Sequence, residues 1–322
     1  MQNFKKTLEP KHITVTDTKA SVPLDDLTKQ TSESLIESID ESIIETLKNH
    51  DLHHFDELNA TLICSWGMDG TTGQSQYHQA DSEGNFVNDS SLFVASMSAV
   101  KLVINVANGE EVVLWENPAP GSAQSNRCIQ IEHAKETDAY TTEVYNSILE
   151  QINQLPTHHV LLSNLVQLNV TYDFHLTLID GKVSKVLSQT ASCARCPVCL
   201  ALPKEMNKTE NFSNGHFKTK TNFRHSLGPL HATMNVTKLL YNIACRKGVN
   251  TWKVTSAANK KIVEANKKRI KEELYNAFSV RYDEPRAGGS GTSSTGSVCR
   301  KMLKNPKELA KIFQIDEELV TR

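Results

Sequence analysis

Two segments of this chain share one arrangement, an apolar run typical of a β-strand that ends in an Asp-Gly pair. The first run covers residues 61–68 and ends at Asp69, and the second covers residues 176–179 and ends at Asp180. A strand end holds a carboxylate on rigid backbone at the edge of a sheet, and the following glycine lets the chain turn away. Two such carboxylates from neighbouring strands can bind one divalent cation. The two segments therefore predict a metal site of the kind used in phosphoryl transfer.

Side-chain alternation in the second segment bears on the same prediction. Counting from Val170 in steps of two, the apolar residues end at Leu178, and the next position is Asp180. Asp180 is therefore expected on the buried face, where a carboxylate is costly unless a cation, a hydrogen bond or solvent relieves it. The alternative is that each Asp-Gly pair forms a solvated hairpin turn, which this dipeptide favours. For either pair alone the turn is the better explanation, so the metal interpretation depends on both pairs together.

Length and composition limit the class of protein. A chain of 322 residues can form two or three units with a substantial core. No run of 18 apolar residues occurs, and the N-terminus lacks the apolar core of a signal peptide, so neither a membrane span nor secretion is expected. Three of the seven cysteines cluster at Cys193, Cys196 and Cys199, which favours a reducing compartment with a metal site over a disulfide framework.

The net charge of −2 conceals a strong asymmetry along the chain. Residues 1–60 hold 6 basic and 12 acidic side chains, whereas residues 201–271 hold 15 basic and 3 acidic side chains. A basic segment of that density attracts a phosphate backbone. The alternative is the ordinary solvated surface of a charged helix.

The order of predicted elements in the first part of the chain is α-β-β-β-α-β, after a loosely ordered stretch over residues 1–30. Apolar spacing predicts helices over 32–50 and 133–153, strands over 61–68, 91–106, 111–116 and 165–180, and a loop over 118–125. Residues 182–187 are predicted to be a fifth strand or the return of the fourth. The predicted domains are a disordered and helical lead-in over 1–58, a core over 59–190 and a Cys-rich, basic, helical region over 191–322.

The last predicted domain is rich in helices. Apolar spacing predicts them over 227–247, 259–278, 299–311 and 316–320, with loops over 212–223 and 283–297. The second loop is rich in Gly and Ser. It can wrap a DNA backbone through exposed N–H groups with help from Arg286, or it can be a flexible linker.

The cysteine cluster offers two overlapping C-x-x-C pairs. One pair supplies two thiolates to a tetrahedral zinc ion, which then needs two more ligands. Candidates for these ligands are the third cysteine, His216, His225 and His231. A redox-active pair would require a βαβ context that is absent here, and buried free thiols remain as the alternative.

A run of cations over residues 259–269 predicts either a surface that faces DNA or an ordinary charged helix. The side chains concerned are Lys260, Lys261, Lys267, Lys268 and Arg269. Both interpretations stay open on the sequence alone.

Several of these segments resemble the Transib-type DNA transposases, the relatives of the catalytic subunit of the V(D)J recombinase. They occur in family order across roughly residues 60–320, so the resemblance is specific rather than a single motif. The segments are Ser65–Tyr77, Ser90–Val94, Thr177–Val183, Leu230–Ala232, Arg281–Arg286 and Gly296–Lys301.

The resemblance implies an α/β fold with an RNase H-like mixed sheet and flanking helices, interrupted by a zinc-binding, helix-rich insertion. Asp69 and Asp180 match the first two catalytic acids of the family's D-D-E site, which binds two Mg²⁺ or Mn²⁺ ions. Cys196 and Cys199 match the cysteine pair of the zinc site, and Cys193 is an additional possible ligand. The family cleaves and transfers DNA strands at transposon ends and targets, acts as a homodimer, and is nuclear.

One departure from the family matters for activity. The family's third carboxylate, a Glu, and the His pair that completes the zinc site lie beyond Arg322, and the surroundings of Glu317 and Glu318 do not match the Glu segment. The chain is therefore expected to be a fragment, a truncated copy or a domesticated remnant, and to be inactive alone. The alternative to a catalytically incomplete transposase is a non-catalytic DNA-binding or protein-interaction module.

Overall fold

The computed structural model describes residues 12–72, 91–106, 109, 111–192, 194–197, 199–206, 208, 210, 228–251, 253–285 and 293–321. The chain divides into two compact units, Met1–Ser226 and Leu227–Arg322. Within the described ranges, no helix combines the length and the apolarity needed to cross a membrane.

The first unit is built on one mixed sheet of eight strands. Only one strand pair, β3 with β8, is parallel among the described residues, and the other pairs are antiparallel. The order across the sheet is β1-β2-β6-β4-β3-β8-β7, and β5 pairs with β4. The strands are β1 (Thr14–Val15), β2 (Lys19–Ser21), β3 (Glu57–Thr72), β4 (Ser91–Asn105), β5 (Glu111–Glu116), β6 (Arg127–Glu132), β7 (His158–Leu161) and β8 (Gln167–Leu176).

Four helices belong to the same unit, and their buried apolar side chains share one core with the strands. They are α1 (Leu24–Ser38), α2 (Asp40–Asn49), α3 (Asp138–Asn153) and α4 (Gly181–Ser188). Side chains alternate between the two faces of β3, and those on the core face are Leu62, Cys64, Trp66 and Met68. The ring of Trp66 stacks on Tyr145 of α3, with 5.8 Å between the ring centroids. The contact between Trp66 and Tyr145 holds β3 against α3 close to the end of the strand that carries Asp69.

The expectation of loose order over residues 1–30 is wrong from residue 14 onward. Strands β1 and β2 join the sheet through β6, and α1 begins at Leu24. A hydrogen-bonded chain anchors α1: His158 contacts Asp25 Oδ1 at 2.7 Å and the Tyr172 hydroxyl at 2.6 Å, and Ser32 contacts the same hydroxyl at 3.0 Å. These polar contacts between distant segments leave no periodic signal in the sequence.

Several predicted elements are confirmed, with shifted ends. Strands β4 and β5 match their predicted ranges closely, while β3 extends beyond its range at both ends and the predicted fourth strand ends at Leu176 instead of residue 180. The single helix predicted over 32–50 is two helices that meet at Ile39. Strand β6 was not predicted, and the strand predicted over 182–187 is the helix α4.

The second unit is helical in its described part. Its helices are α5 (Pro229–Cys245), α6 (Ala257–Phe278), α7 (Gly296–Leu303), α8 (Pro306–Phe313) and α9 (Glu317–Thr321). Their core centres on Tyr241, whose ring contacts Tyr282 edge-on at 5.0 Å and lies near Phe313. The predicted loop over 212–223 lies outside the described residues.

The α/β class predicted from the sequence is confirmed by the mixed sheet and the helices that accompany it. The RNase H-like identity of the fold and the zinc-binding nature of the insertion are finer statements, and both stay predictions.

Candidate metal centre at the ends of β3 and β8

The parallel pairing of β3 and β8 brings the two predicted acids to one edge of the sheet. The last paired positions are Trp66 and Leu176, and the Trp66 carbonyl then accepts hydrogen bonds of 3.0 Å from the backbone N–H groups of Thr177 and Leu178. Asp69 lies three residues beyond Trp66, and Asp180 lies four residues beyond Leu176. Asp69, within the last part of β3, and Asp180, after the end of β8, therefore belong to neighbouring strands and lie toward the same end of the sheet, although they are more than one hundred positions apart in the sequence.

A glycine makes this close approach possible. A Cβ atom added to Gly67 would lie 2.0 Å from the carbonyl oxygen of Leu178 and 2.8 Å from its Cα. Both atoms are backbone, so no side-chain movement can relieve the overlap. Gly67 thus allows the segment that leads to Asp180 to pass against β3.

Asp180 is the N-cap of helix α4. Its backbone is extended, and its Oδ1 accepts hydrogen bonds of 2.8 Å from the N–H groups of Lys182 and Val183. The hairpin-turn alternative is wrong at this pair, because Gly181 begins a helix. The buried-face argument is also wrong here, because β8 ends four residues earlier and Asp180 is partly exposed. Capping by itself explains an Asp at this position.

Asp69 lies within β3, so the hairpin-turn alternative is wrong for this pair as well. It pairs in register with Val94 of β4, and its side chain is exposed. Of its two neighbours, Met68 is buried in the core, and a Cβ atom on Gly70 would meet Glu136 on the same side of the strand. Strand alternation therefore directs the Asp69 side chain to the opposite face of the sheet.

A third carboxylate, Glu136, lies at the same edge and was missed by the sequence reasoning. It immediately precedes Thr137, the N-cap of α3, and its side chain is 11 % exposed. A Cβ atom added to Gly70 would lie 2.5 Å from Glu136 Cβ and 2.9 Å from its Oε2, so the side chain lies against the β3 backbone. Glu136 Oε1 is shielded from solvent and receives no hydrogen bond from the described residues. No periodicity marks this residue, because its position depends on how α3 packs on β3.

The ammonium group of Lys182 lies next to Glu136 and interacts with the charge of Asp180. Its Nζ is 2.7 Å from Glu136 Oε2. The hydrogen bond to Glu136 raises the pKa of Lys182, and the charges of Glu136, Asp180 and Asp138 raise it further, while partial burial acts in the opposite direction. The positive charge of Lys182 thus partly neutralises the carboxylates at this end of the sheet.

The carboxylates do not converge as the ligands of one ion would. In the described part of the chain, the one group of three potential ligand atoms within 4.8 Å of each other involves other residues, and it does not include Asp69, Asp180 or Glu136. Oxygen ligands suit Mg²⁺ and Mn²⁺. Binding one ion through all three carboxylates would require the side chains to move and the ion to displace Lys182 from Glu136.

The Cys196–Cys199 pair forms a tight loop. The Cys199 N–H donates to Cys196 Sγ at 3.5 Å, the Cys196 N–H donates to the Ala201 carbonyl at 3.0 Å, and Leu200 takes a positive φ of 61°. Both thiols are partly exposed and not in a disulfide. Desolvation is the main cause that raises the pKa of Cys199, and the adjacent Cys196 adds to it. Two thiols this close are suited to bind one soft metal ion.

The structure separates the five predicted cations of helix α6 into two sets. Lys260, Lys261 and Lys268 are exposed. Lys267 pairs with Glu264 at 3.3 Å, and Arg269 pairs with Glu273 at 2.9 Å and donates to the Ile312 carbonyl at 3.0 Å. Arg269 therefore connects α6 to the end of α8, which is a structural role.

Four sequence-predicted positions cannot be placed, because they lie outside the described residues: Cys193, His216, His225 and Arg286. His231 is described and lies exposed on α5.

No protein-family model matches this chain, and no curated protein matches it either.

Proposed function

We propose that the chain is a catalytically incomplete part of a Transib-like DNA transposase or recombinase with an RNase H-like fold, without a match to the family's third catalytic Glu, and that its substrate is DNA. The observation that carries this proposal is the parallel pairing of β3 and β8, because it brings the two motif acids, Asp69 and Asp180, to one sheet edge. Glu136 adds a shielded carboxylate with an unsatisfied oxygen at the same edge. These are oxygen ligands, which fits the chemistry of a Mg²⁺ or Mn²⁺ site.

In the proposed activity, a pair of divalent ions activates the attacking hydroxyl and stabilises the leaving oxygen of a phosphodiester. Asp69 and Asp180 would hold the ions, with Asp180 fixed in position by its two backbone hydrogen bonds. Glu136 would supply charge next to Asp180 once Lys182 moves aside. The Cys196–Cys199 loop is proposed as part of a zinc site, and a nuclear homodimer that pairs two DNA ends is proposed from the family resemblance.

The exposed cations of α6 are proposed to contact the DNA backbone. Replacing Lys260, Lys261 and Lys268 together with Ala should weaken binding to duplex DNA regardless of its sequence. Each phosphate contact contributes about −0.9 to the slope of log K against log[salt], so the slope should become shallower by up to about 3. The measurement is fluorescence anisotropy with a labelled duplex over a salt series.

A triple variant of other exposed lysines in the second unit is the matched control. Lys304, Lys307 and Lys311 lie in or just before α8, and replacing them with Ala removes the same charge. An equal change in slope for the two triple variants would mean that net charge, not the α6 surface, accounts for binding.

The catalytic part of the proposal is tested by nicking of supercoiled plasmid with Mg²⁺ or Mn²⁺. The wild-type chain is expected to nick weakly, because no segment of it matches the one that carries the family's third catalytic Glu, and Asp69→Asn should abolish that weak nicking, since ligands of such a site act as a unit. Asp173→Asn is the control, because Asp173 also lies on this sheet but pairs with His175 at 2.9 Å within β8. Nicking that survives in Asp69→Asn would mean that a contaminating nuclease or another site is responsible.

A second candidate function is a non-catalytic DNA-binding module. It is favoured by the Lys182–Glu136 ion pair and by the lack of convergence of the described carboxylates on one point. The same two assays separate the candidates, because the module would bind duplex DNA with the predicted salt dependence and would show no metal-dependent nicking in the wild-type chain.

A further inference from the structure

The loop between α2 and β3 is built around a tight turn at the C-terminus of a helix. Its sequence is His50-Asp-Leu-His-His-Phe-Asp56. Asp51 takes a positive φ of 56°, its N–H donates to the Lys48 carbonyl at 3.2 Å, and the Leu52 N–H donates to the Leu47 carbonyl at 2.8 Å. Leu52 is buried in the core. These contacts fix the loop backbone independently of any ligand.

The turn brings three metal-binding side chains together. Ligand atoms of Asp51, His53 and His54 all lie within 4.8 Å of one another. The two imidazole rings are 3.7 Å apart between centroids and tilted by 47°. Two ligand atoms of one tetrahedral zinc ion, each about 2.0–2.1 Å from the metal, are about 3.3 Å apart. That distance is inside the 4.8 Å limit that the three ligand atoms already meet. Small side-chain rotations would therefore let all three bind one ion.

One atom of this cluster lacks any partner in the described structure. His53 Nδ1 is shielded from solvent and receives no hydrogen bond from the described residues. A buried polar atom without a partner costs free energy, and a metal ion would remove that cost. Polar side chains that meet by chance on a surface are hydrogen-bonded to water, whereas His53 Nδ1 is shielded from it.

The chemistry of the three side chains selects the class of ion. Two imidazoles and one carboxylate suit zinc and other divalent transition metals, whereas Mg²⁺ and Ca²⁺ prefer oxygen ligands. The C-terminus of α2, just before Asp51, carries the negative end of the helix dipole and favours a cation. Three protein ligands leave a coordination position for water.

We propose that Asp51, His53 and His54 form a binding site for a divalent transition-metal ion of the zinc class. The ion would fasten the end of α2 to the start of β3. The site lies at the opposite end of β3 from Asp69, on the order of 40 Å along the strand. It is therefore independent of the candidate metal centre, and it does not depend on the proposed DNA chemistry.

Cobalt(II) is the probe that separates this site from the cysteine pair, because ions bound to Cys196 and Cys199 give a thiolate charge-transfer band. Titrating the full chain that carries Asp69→Asn and Asp180→Asn, so that the proposed oxygen-ligand site is removed, should reveal one equivalent of cobalt without that band. In the double variant His53→Gln/His54→Gln of this parent chain, this equivalent should be lost or its affinity should fall at least about tenfold. Zinc should raise the Tm of the wild-type chain more than that of the double variant.

Two further variants keep the test decisive. His159→Gln/His175→Gln removes two imidazoles elsewhere in the same unit and should bind cobalt like the parent chain. Asp51→Asn keeps a residue that tolerates positive φ, so the turn should fold while the affinity falls. Equal cobalt stoichiometry and affinity in the parent chain, the His53/His54 variant and Asp51→Asn would overturn the proposal.

Discussion

Asp180→Asn is expected to abolish the weak metal-dependent DNA nicking expected of this chain while leaving its stability nearly unchanged. Asn caps helices about as well as Asp, so the hydrogen bonds to Lys182 and Val183 can be kept. The substitution removes the negative charge that an ion would need. Plasmid nicking in Mn²⁺ and thermal unfolding, measured on the same preparation, test the two halves of this expectation.

Asp180→Ala is the companion variant, because it removes the cap as well as the charge. It should cost about 0.5–2 kcal/mol of stability, and it should nick no better than Asp180→Asn. The pair of variants thus separates capping from metal binding. If Asp180→Asn nicks like the wild-type chain and Asp180→Ala is merely unstable, then Asp180 is a helix cap and nothing more.

Gly67→Ala is expected to be the most disruptive single methyl addition at this edge. The new Cβ would overlap backbone atoms of Leu178, the closest at 2.0 Å, so β3 and the segment before Asp180 would have to separate. Overpacking of this kind costs about 1–3 kcal/mol. For a unit of this size, that free energy corresponds to a fall in Tm of roughly 3–10 °C. Calorimetry or circular dichroism measures the shift.

The control for this variant is Gly121→Ala, in the exposed loop between β5 and β6. A Cβ atom there would contact no atom within 4 Å, and its φ is not in the left-handed region. Its Tm should match that of the wild-type chain or rise slightly. If the two alanine variants have the same Tm, then the close approach of Leu178 to β3 does not exist in solution.

The spacing of apolar residues along the sequence was sufficient to predict those strands and helices in which that spacing is regular. The ranges of β4, β5 and α6 follow closely from their side-chain spacing. The short strand β6 was missed because six residues after a polar loop give a weak signal. The segment 182–187 was predicted to be a fifth strand or the return of the fourth, although Val183, Val186 and Leu187 have helical spacing; it is a helix with Asp180 as its N-cap.

The candidate site was predictable only in part. The Asp-Gly motifs indicated Asp69 and Asp180, and the parallel register of β3 and β8 accounts for their common edge. Glu136 and Lys182 could not be found in this way, since their meeting depends on packing between segments distant in sequence. The direction of the Asp69 side chain depends on the strand continuing beyond it to Thr72, which the motif alone did not indicate.

The position of Lys182 has a practical consequence for handling the protein. Since its ammonium already neutralises part of the acidic charge at the end of β3, this edge should not depend on a divalent ion to remain folded. Dialysis against a chelator should therefore leave this edge of the sheet folded, which thermal unfolding of the dialysed chain would show.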